Sequence, residues 1–248
     1  MQKFIIDGPV EKGANIRISG QDARHICRVL RLRTEDALSM TDGRGMDYTG
    51  RITGISPDRA DVCIVEIRAS STESPLDLTL CSAMLKHNKM DEIIKQVTQL
   101  GVTRWVPFFS ARSVPASNPK KEKRQMERWQ TIARESLKQC RRSRTIRIEH
   151  PMTFEAMLDL TQGVTRKIAF WENAARPLGQ LANETNAEAV VLIGPEGGFE
   201  AREIEAAERK GFAAYALGPR ILRAETAAVS AAALVQYLLG DMGGGPPP

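Results

Sequence analysis

From Leu76 onward, short runs of β-branched and aliphatic residues alternate with stretches of helical periodicity, and this alternation constrains the chain more than any other feature. LDLTLCSA, TRWVPFF, TIRI, RKIAFW, AVVLIG and AAYALG have strand character. Residues 90–100 place Ile93, Ile94, Val97 and Leu100 on one helical face, with Gly101 behind them as a stop. A basic helix follows over residues 120–140, with Met126, Trp129, Ile132, Ala133, Leu137 and Cys140 as its apolar stripe. An alanine-rich helix starts near Glu225. Strands that alternate with helices pair in parallel through crossovers, so residues 76–242 are expected to form an α/β domain with a mostly parallel sheet.

The first seventy residues read differently. KFII, NIRI, ALSM, DYTGRITGI and DVCIVEI are short strand-like runs separated by glycine turns such as TDGRGMD, a pattern that predicts a small β-barrel over residues 1–70. One helix interrupts it, with Ser19 as N-cap, Asp22 three residues on, and Ala23, Ile26, Val29 and Leu30 on its inner face. The polar stretch ASSTESP reads as a linker, and the GGGPPP tail at 243–248 as disordered.

Composition excludes several classes. The chain is 42% hydrophobic and 26% charged, which is ordinary for a soluble globular protein. No window approaches the roughly 18 apolar residues of a membrane helix, and MQKFIIDGPVEKG lacks the apolar core of a secretory signal, so a cytoplasmic location without membrane contact is expected. The four cysteines, Cys27, Cys63, Cys81 and Cys140, form no CxxC pair and read as buried thiols. The three histidines show no ligand spacing, so no metal is expected.

Charge is concentrated. Residues 120–147 carry eleven Lys or Arg against three Glu, whereas the whole chain is only +5, so the remainder is net acidic. Arg24, His25, Arg28, Arg31 and Arg33 form a smaller basic group. Such concentration points to a polyanion, nucleic acid first, although a solvated helix face gives the same pattern.

Two loops carry the strongest functional signal. AVVLIG runs into Gly194-Pro195-Glu196-Gly197-Gly198, and AAYALG runs into Gly218-Pro219-Arg220-Ile221-Leu222-Arg223. Glycines after a strand let backbone N–H groups approach a ligand closely, and Gly197 reads as the point where an added side chain crowds it. The pattern is neither GxGxxG nor a Walker loop, and it comes late in the chain, which argues against a dinucleotide fold. Two adjacent loops with rigid Gly-Pro turns suit one flat, partly apolar ligand such as adenosine, and two purely structural tight turns are the alternative.

LIGPEGGF followed by LGPRILRAETA resembles the C-terminal signature of the RsmE-type 16S ribosomal RNA (uracil-N3)-methyltransferases, members of the SPOUT superfamily. HICRVLRLR, TDGRG, KMDEIIKQVTQLGVTRWVPFFSARSV and RWQTIARESLKQCRRS extend the resemblance over nearly the whole chain. It implies a PUA-like RNA-binding barrel followed by an α/β domain with a trefoil knot. It also implies S-adenosyl-L-methionine as cofactor, 16S rRNA in the small ribosomal subunit as substrate, and a homodimer with the cofactor in the knot. The cofactor walls implied are Leu192, Gly194, Pro195, Glu196, Gly197 and Gly198, then Leu217, Gly218, Ile221, Leu222, Arg223 and Thr226, with Trp171 and Glu172 as a third wall. Some positions depart from the family pattern: Glu35-Asp36 stands where Gly-Asp is expected, Gln99 where Glu is common, and Arg141 where a small residue is expected.

Methylating N3 of uracil requires loss of its proton and stabilisation of the anion that results, which cations in a partly dry site favour. Arg223 is the first candidate for that role, against a helix-terminal arginine paired with Glu225 or Glu196. Glu225 or Glu196 is a candidate base, and each is equally a helix N-terminal carboxylate. Arg24, His25, Arg28, Arg31, Arg112, Arg134, Lys138, Arg141 and Arg142 are the candidate RNA contacts. A ribose 2′-O enzyme of the same superfamily and a non-catalytic RNA-binding assembly factor are the competing readings.

Overall fold

The computed structural model describes residues 3–113, 119–181 and 187–244, and the chain divides into two compact units. The first comprises Met1–Glu73 and Leu137–Thr145, the second Ser74–Ser136 and Ile146–Pro248. Of the tail at 243–248, residues 245–248 lie outside the described residues.

The first unit is a five-stranded sheet with one short helix. Its elements are β1 (Phe4–Ile5), β2 (Asn15–Ser19), α1 (Gly20–Arg24), β3 (Ala37–Thr41), β4 (Met46–Ser56) and β5 (Arg59–Ala69). The sheet order is β1-β3-β4-β5-β2, parallel between β1 and β3 and antiparallel elsewhere. Alternation along the strands turns Leu38, Met40, Ile52, Val62 and Ile64 inward, where all are fully buried. Ser19 is the N-cap residue of α1, but its side chain caps nothing, and Asp22 instead holds Lys138. After Arg24 the helix widens into a π turn over His25–Val29. That change of winding keeps Ala23 and Ile26 in the core but leaves Val29 65% exposed, contrary to its expected place on the inner face.

Residues 137–145 are fixed into this unit by buried polar contacts. Lys3 Nζ binds Asp47 at 2.7 Å and Ser143 Oγ at 2.6 Å, and Ser143 Oγ also donates to Asp47. The Glu73 carboxylate receives Arg142 at 2.9 Å and the backbone N–H groups of Ser143 and Arg144. Lys138 Nζ meets Asp22 at 2.8 Å. Buried ions persist only when paired and hydrogen-bonded, and these are.

The second unit is built on β6 (Asp77–Ala83), β7 (Arg104–Phe109), β8 (Arg147–Ile148), β9 (Met152–Thr153), β10 (Arg166–Phe170), β11 (Glu188–Ile193) and β12 (Ala213–Tyr215). The order is β12-β10-β11-β6-β7-β8, with β9 also on β7, and every pairing is parallel. The helices are α2 (Lys89–Gln99), α3 (Pro119–Cys140), α4 (Phe154–Leu160), α5 (Ala201–Arg209) and α6 (Ala224–Leu239); the part of α3 up to Ser136 belongs here. Both faces of a parallel sheet must be covered, and the strands are apolar on both. Leu78, Leu80, Ile168, Val191 and Ile193 face α2, α3 and α6, whereas Cys81, Val106, Ala169, Val190 and Leu192 face α4 and α5. Trp105 of β7 meets Trp129 of α3 edge-on at 4.7 Å, with Trp129 Nε1 donating to Asp91 of α2. All four cysteines are free, and only Cys81 is fully buried, burial pushing its thiol pKa up; Cys27, Cys63 and Cys140 are half-buried, so the expectation of buried thiols fails for them.

The departures Glu35 and Arg141 fall on left-handed backbone, at φ 75° and 64°. A side chain there costs roughly 1–2 kcal/mol that glycine avoids. The exposed Glu35–Arg51 pair, at 3.3 Å, returns little of this. Glu35→Gly is therefore expected to stabilise the first unit by about 1 kcal/mol in chemical denaturation. A loss of stability would show that the Glu35 side chain holds the turn.

Candidate functional site

β10, β11 and β12 are adjacent and parallel, so their carboxyl ends share one edge of the sheet. The loops that leave them enclose a cavity of about 340 Å³. Trp171 and Glu172 follow β10, residues 194–199 follow β11, and residues 217–222 lead from β12 to α6. A crevice beyond the carboxyl ends of parallel strands is the usual ligand position in open α/β sheets.

Each loop has a local cause. Ile193 ends β11, Pro195 is buried, and Gly198 at φ 70° closes a turn by donating its N–H to the Pro195 carbonyl at 3.0 Å. A Cβ on Gly198 would strike the Glu172 carboxylate, and one on Gly194 would come within 3.0 Å of the Phe199 ring. Gly197 would place a Cβ 3.3 Å from Arg112 Cβ on ordinary backbone, whereas Gly198 sits on left-handed backbone, so within the protein itself Gly198 is the more restricted of the two. In the last loop Gly218 takes φ 104° and leaves Ile221 88% exposed on the cavity rim.

The structure brings Trp171, Glu172, Gly194, Pro195, Glu196, Gly197, Gly198, Leu217, Gly218, Ile221 and Leu222 together around this cavity. It does not bring Leu192, Arg223 or Thr226 into the lining. Leu192 points into the sheet core facing α5, and helical phase turns Ala224 and Ala227 inward while Glu225 and Thr226 face elsewhere. Arg223 is the exposed N-cap residue of α6 and has no ion-pair partner among the described residues. Its alternative partners are engaged, because Lys89 Nζ lies 2.8 Å from Glu196 and 3.2 Å from Glu225. The hydrogen bond to Glu196, reinforced by Glu225, holds the Lys89 ammonium above the usual lysine pKa. Lys89 thus ties the glycine loop to the first turn of α6.

Lys89 was not apparent in the sequence, where it reads as one more helix-terminal lysine. Glu203 was missed as well: it is buried, and its carboxylate accepts from Glu200 N at 2.9 Å and Ala111 N at 3.1 Å. The sequence signal was the Glu200–Glu203 spacing at the start of a helix. Arg112, expected among RNA contacts near the basic helix, donates to the Gly197 carbonyl at 3.0 Å.

The other candidate RNA residues divide by burial. Arg24, Arg28, Arg31, Arg134 and Arg141 are exposed. His25 is half-buried with its ring edge-on to Phe4. Lys138 and Arg142 are buried and engaged by Asp22 and Glu73, so their charge serves the packing of residues 137–145 rather than a phosphate.

The residues around the cavity fit an adenosyl ligand with charged ends. Phe170, Ile193, Leu217 and Leu222 supply apolar wall, glycine backbones supply close approach, and Trp171 Nε1 is a buried donor lacking an acceptor among the described residues. Such an unmet donor costs about 1–3 kcal/mol unless a ligand satisfies it. Among the described residues no cluster of His, Cys, Asp and Glu could hold a metal ion.

A two-unit α/β chain with its cavity beyond three parallel carboxyl ends, matched by the models of an RNA methyltransferase domain and its PUA domain, is of the RNA-modifying transferase class. Residues 72–236 match the model of the RNA methyltransferase domain family, and residues 18–65 that of the RNA methyltransferase PUA domain. The chain is 32% identical over 232 residues to the ribosomal RNA small subunit methyltransferase E of Synechocystis, covering 91% of this chain and 74% of that one. It is 27% identical to the enzyme of that name from Bacillus subtilis, over 96% of both chains. The crystal structure of a ribosomal RNA small subunit methyltransferase E from Neisseria gonorrhoeae bound to S-adenosyl methionine superposes with a TM-score of 0.88 at 30% identity, over 97% of this chain and 99% of that one. The chain belongs to the ribosomal RNA small subunit methyltransferase E family.

The two central glycines differ in a way that stability can measure. Gly198→Ala is expected to destabilise the protein by about 1–2 kcal/mol, because it strains left-handed backbone and displaces Glu172. Gly197→Ala, on ordinary backbone with its Cβ 3.3 Å from Arg112 Cβ, should cost less, under about 1 kcal/mol. Equal effects in thermal unfolding would contradict this reading of the loop.

Proposed function

We propose that the chain is an S-adenosylmethionine-dependent methyltransferase that modifies N3 of a uridine in 16S ribosomal RNA. The observation that carries the proposal is the convergence of three post-strand loops on one glycine-lined cavity in a chain of this family. When bound, S-adenosylmethionine supplies a methyl group on a sulfonium, open to displacement by a lone pair.

The protein's own residues perform the rest. The loops at 194–198 and 217–222 hold the adenosyl moiety, and Lys89 keeps them at fixed spacing through Glu196 and Glu225. The N3 proton passes to a base, for which Glu196 in the cavity lining is the candidate. Arg223, exposed beside the cavity and free of carboxylate partners among the described residues, stabilises the negative charge left on the uracil oxygens. In a base pair N3 is occupied, so the target uridine enters unpaired. Exposed Arg24, Arg28, Arg31, Arg134 and Arg141 hold the surrounding phosphates.

Two further features belong to the proposal. The first is the family's trefoil knot, which the late position of the cavity loops and the packing of α6 on α2, β6 and β11 support. The second is a homodimer, supported by the exposed apolar side chains Ile221, Leu234 and Tyr237 on and just before α6. No helix among the described residues is long and apolar enough to cross a membrane, and the proposed substrate places the enzyme in the cytoplasm.

The direct test incubates purified protein with methyl-labelled S-adenosylmethionine and small ribosomal subunits that lack the modification, followed by nucleoside mass spectrometry. The expected product is 3-methyluridine at one position of the 16S RNA. Label on a ribose, or no transfer although the cofactor binds, would overturn the assignment.

A further inference from the structure

Arg44 and Arg144 face each other across an isolated antiparallel bridge in the first unit. The bonds on either side of the pair come from neighbouring residues: Gly45 N–H donates to the Ser143 carbonyl at 2.8 Å, and Thr145 N–H to the Gly43 carbonyl at 2.9 Å. The arginines therefore occupy a non-hydrogen-bonded position, where opposed Cα atoms lie about 4.5 Å apart and the side chains leave from the same face. Like charges so placed repel, and both side chains are exposed with no carboxylate partner among the described residues.

The backbone beneath them is fixed at several points. Arg44 N–H is held by Asp42 at 2.8 Å and Arg144 N–H by Glu73 at 3.0 Å. The Ser143 carbonyl also accepts from Thr41 Oγ1 at 3.0 Å, and the Ser143 hydroxyl joins the buried Lys3–Asp47 pair. Gly43 (φ 71°) is required, because a Cβ there would lie 2.6 Å from Thr145 Oγ1. Buried ion pairs and two positive-φ glycines, Gly43 and Gly45, thus fix the backbone from which two exposed arginine side chains leave on the same face.

We infer that Arg44 and Arg144 form a phosphate clamp by which the first unit docks the RNA backbone. Paired planar guanidinium groups suit the oxygens of a phosphodiester, and a bound phosphate removes the repulsion that the empty pair carries. The inference rests on the proposed RNA substrate. The clamp orients RNA through its backbone and reads no bases.

The test compares wild type, Arg44→Ala, Arg144→Ala and the double variant by fluorescence anisotropy with a labelled fragment of 16S RNA, over a range of salt. Calorimetry with S-adenosylmethionine and turnover at saturating RNA accompany each titration. The double variant is expected to bind RNA about tenfold more weakly and to lower the slope of log affinity against log salt by roughly 1–2. Cofactor affinity and saturated turnover should not change. Wild-type affinity and salt slope in the double variant, with methylation intact, would overturn the clamp and leave the enzyme's function standing. Weaker binding with an unaltered salt slope would also overturn it, because the lost contact would not be to phosphate. A double variant that binds free RNA normally but assembled subunits poorly would assign the pair to an acidic protein surface instead. If the wild type binds cofactor but no RNA, the substrate reading fails and the clamp with it.

Discussion

Because β12, β10 and β11 are adjacent and parallel, the chain leaves all three at the same edge of the sheet, and the loops that follow them must meet there. The cavity, its glycine lining and the late position of its residues all follow from that ordering. Parallel pairing in turn requires apolar cover on both faces, which α2, α3 and α6 supply on one side and α4 and α5 on the other. Lys89 adds the remaining condition. Without an ammonium between them, Glu196 and Glu225 would leave two carboxylates facing each other where the glycine loop meets α6.

The basic residues of this chain perform two physical tasks that composition cannot separate. Lys3, Lys138 and Arg142 are buried, and their charges are neutralised by Asp47, Asp22 and Glu73 within the first unit. Arg24, Arg28, Arg44, Arg141 and Arg144 are exposed. The net surplus between residues 120 and 147 therefore overstates what a nucleic acid meets, and the burial of each residue decides its role.

Much of the fold was legible because it rests on periodicity. The strands, the α2 face of Ile93, Ile94 and Val97, and the α3 stripe through Trp129 follow from the spacing of apolar residues. What escaped was set by geometry beyond that spacing. The π turn that exposes Val29 replaces one helical winding by another and leaves the sequence pattern unchanged. The phase of α6, which puts Ala227 rather than Thr226 at the cavity, depends on where the helix begins. Lys89 and Glu203 act on partners far away in sequence, Lys89 on Glu196 and Glu225, Glu203 on Ala111. The glycine loops themselves were visible as glycines following strands, but that Gly198 is the restricted member rests on its left-handed φ and on the neighbouring Glu172, neither of which the sequence shows.

The central claim, that the edge formed by β10, β11 and β12 is the S-adenosylmethionine site, meets its most direct test in calorimetry. S-adenosylmethionine would be titrated into the wild-type protein and into Gly198→Ala under conditions where both are folded. The wild type should bind, and the added methyl group, pressing on Glu172 and straining the loop, should weaken binding at least about tenfold, or 1.4 kcal/mol. Undiminished affinity in Gly198→Ala would place the cofactor elsewhere.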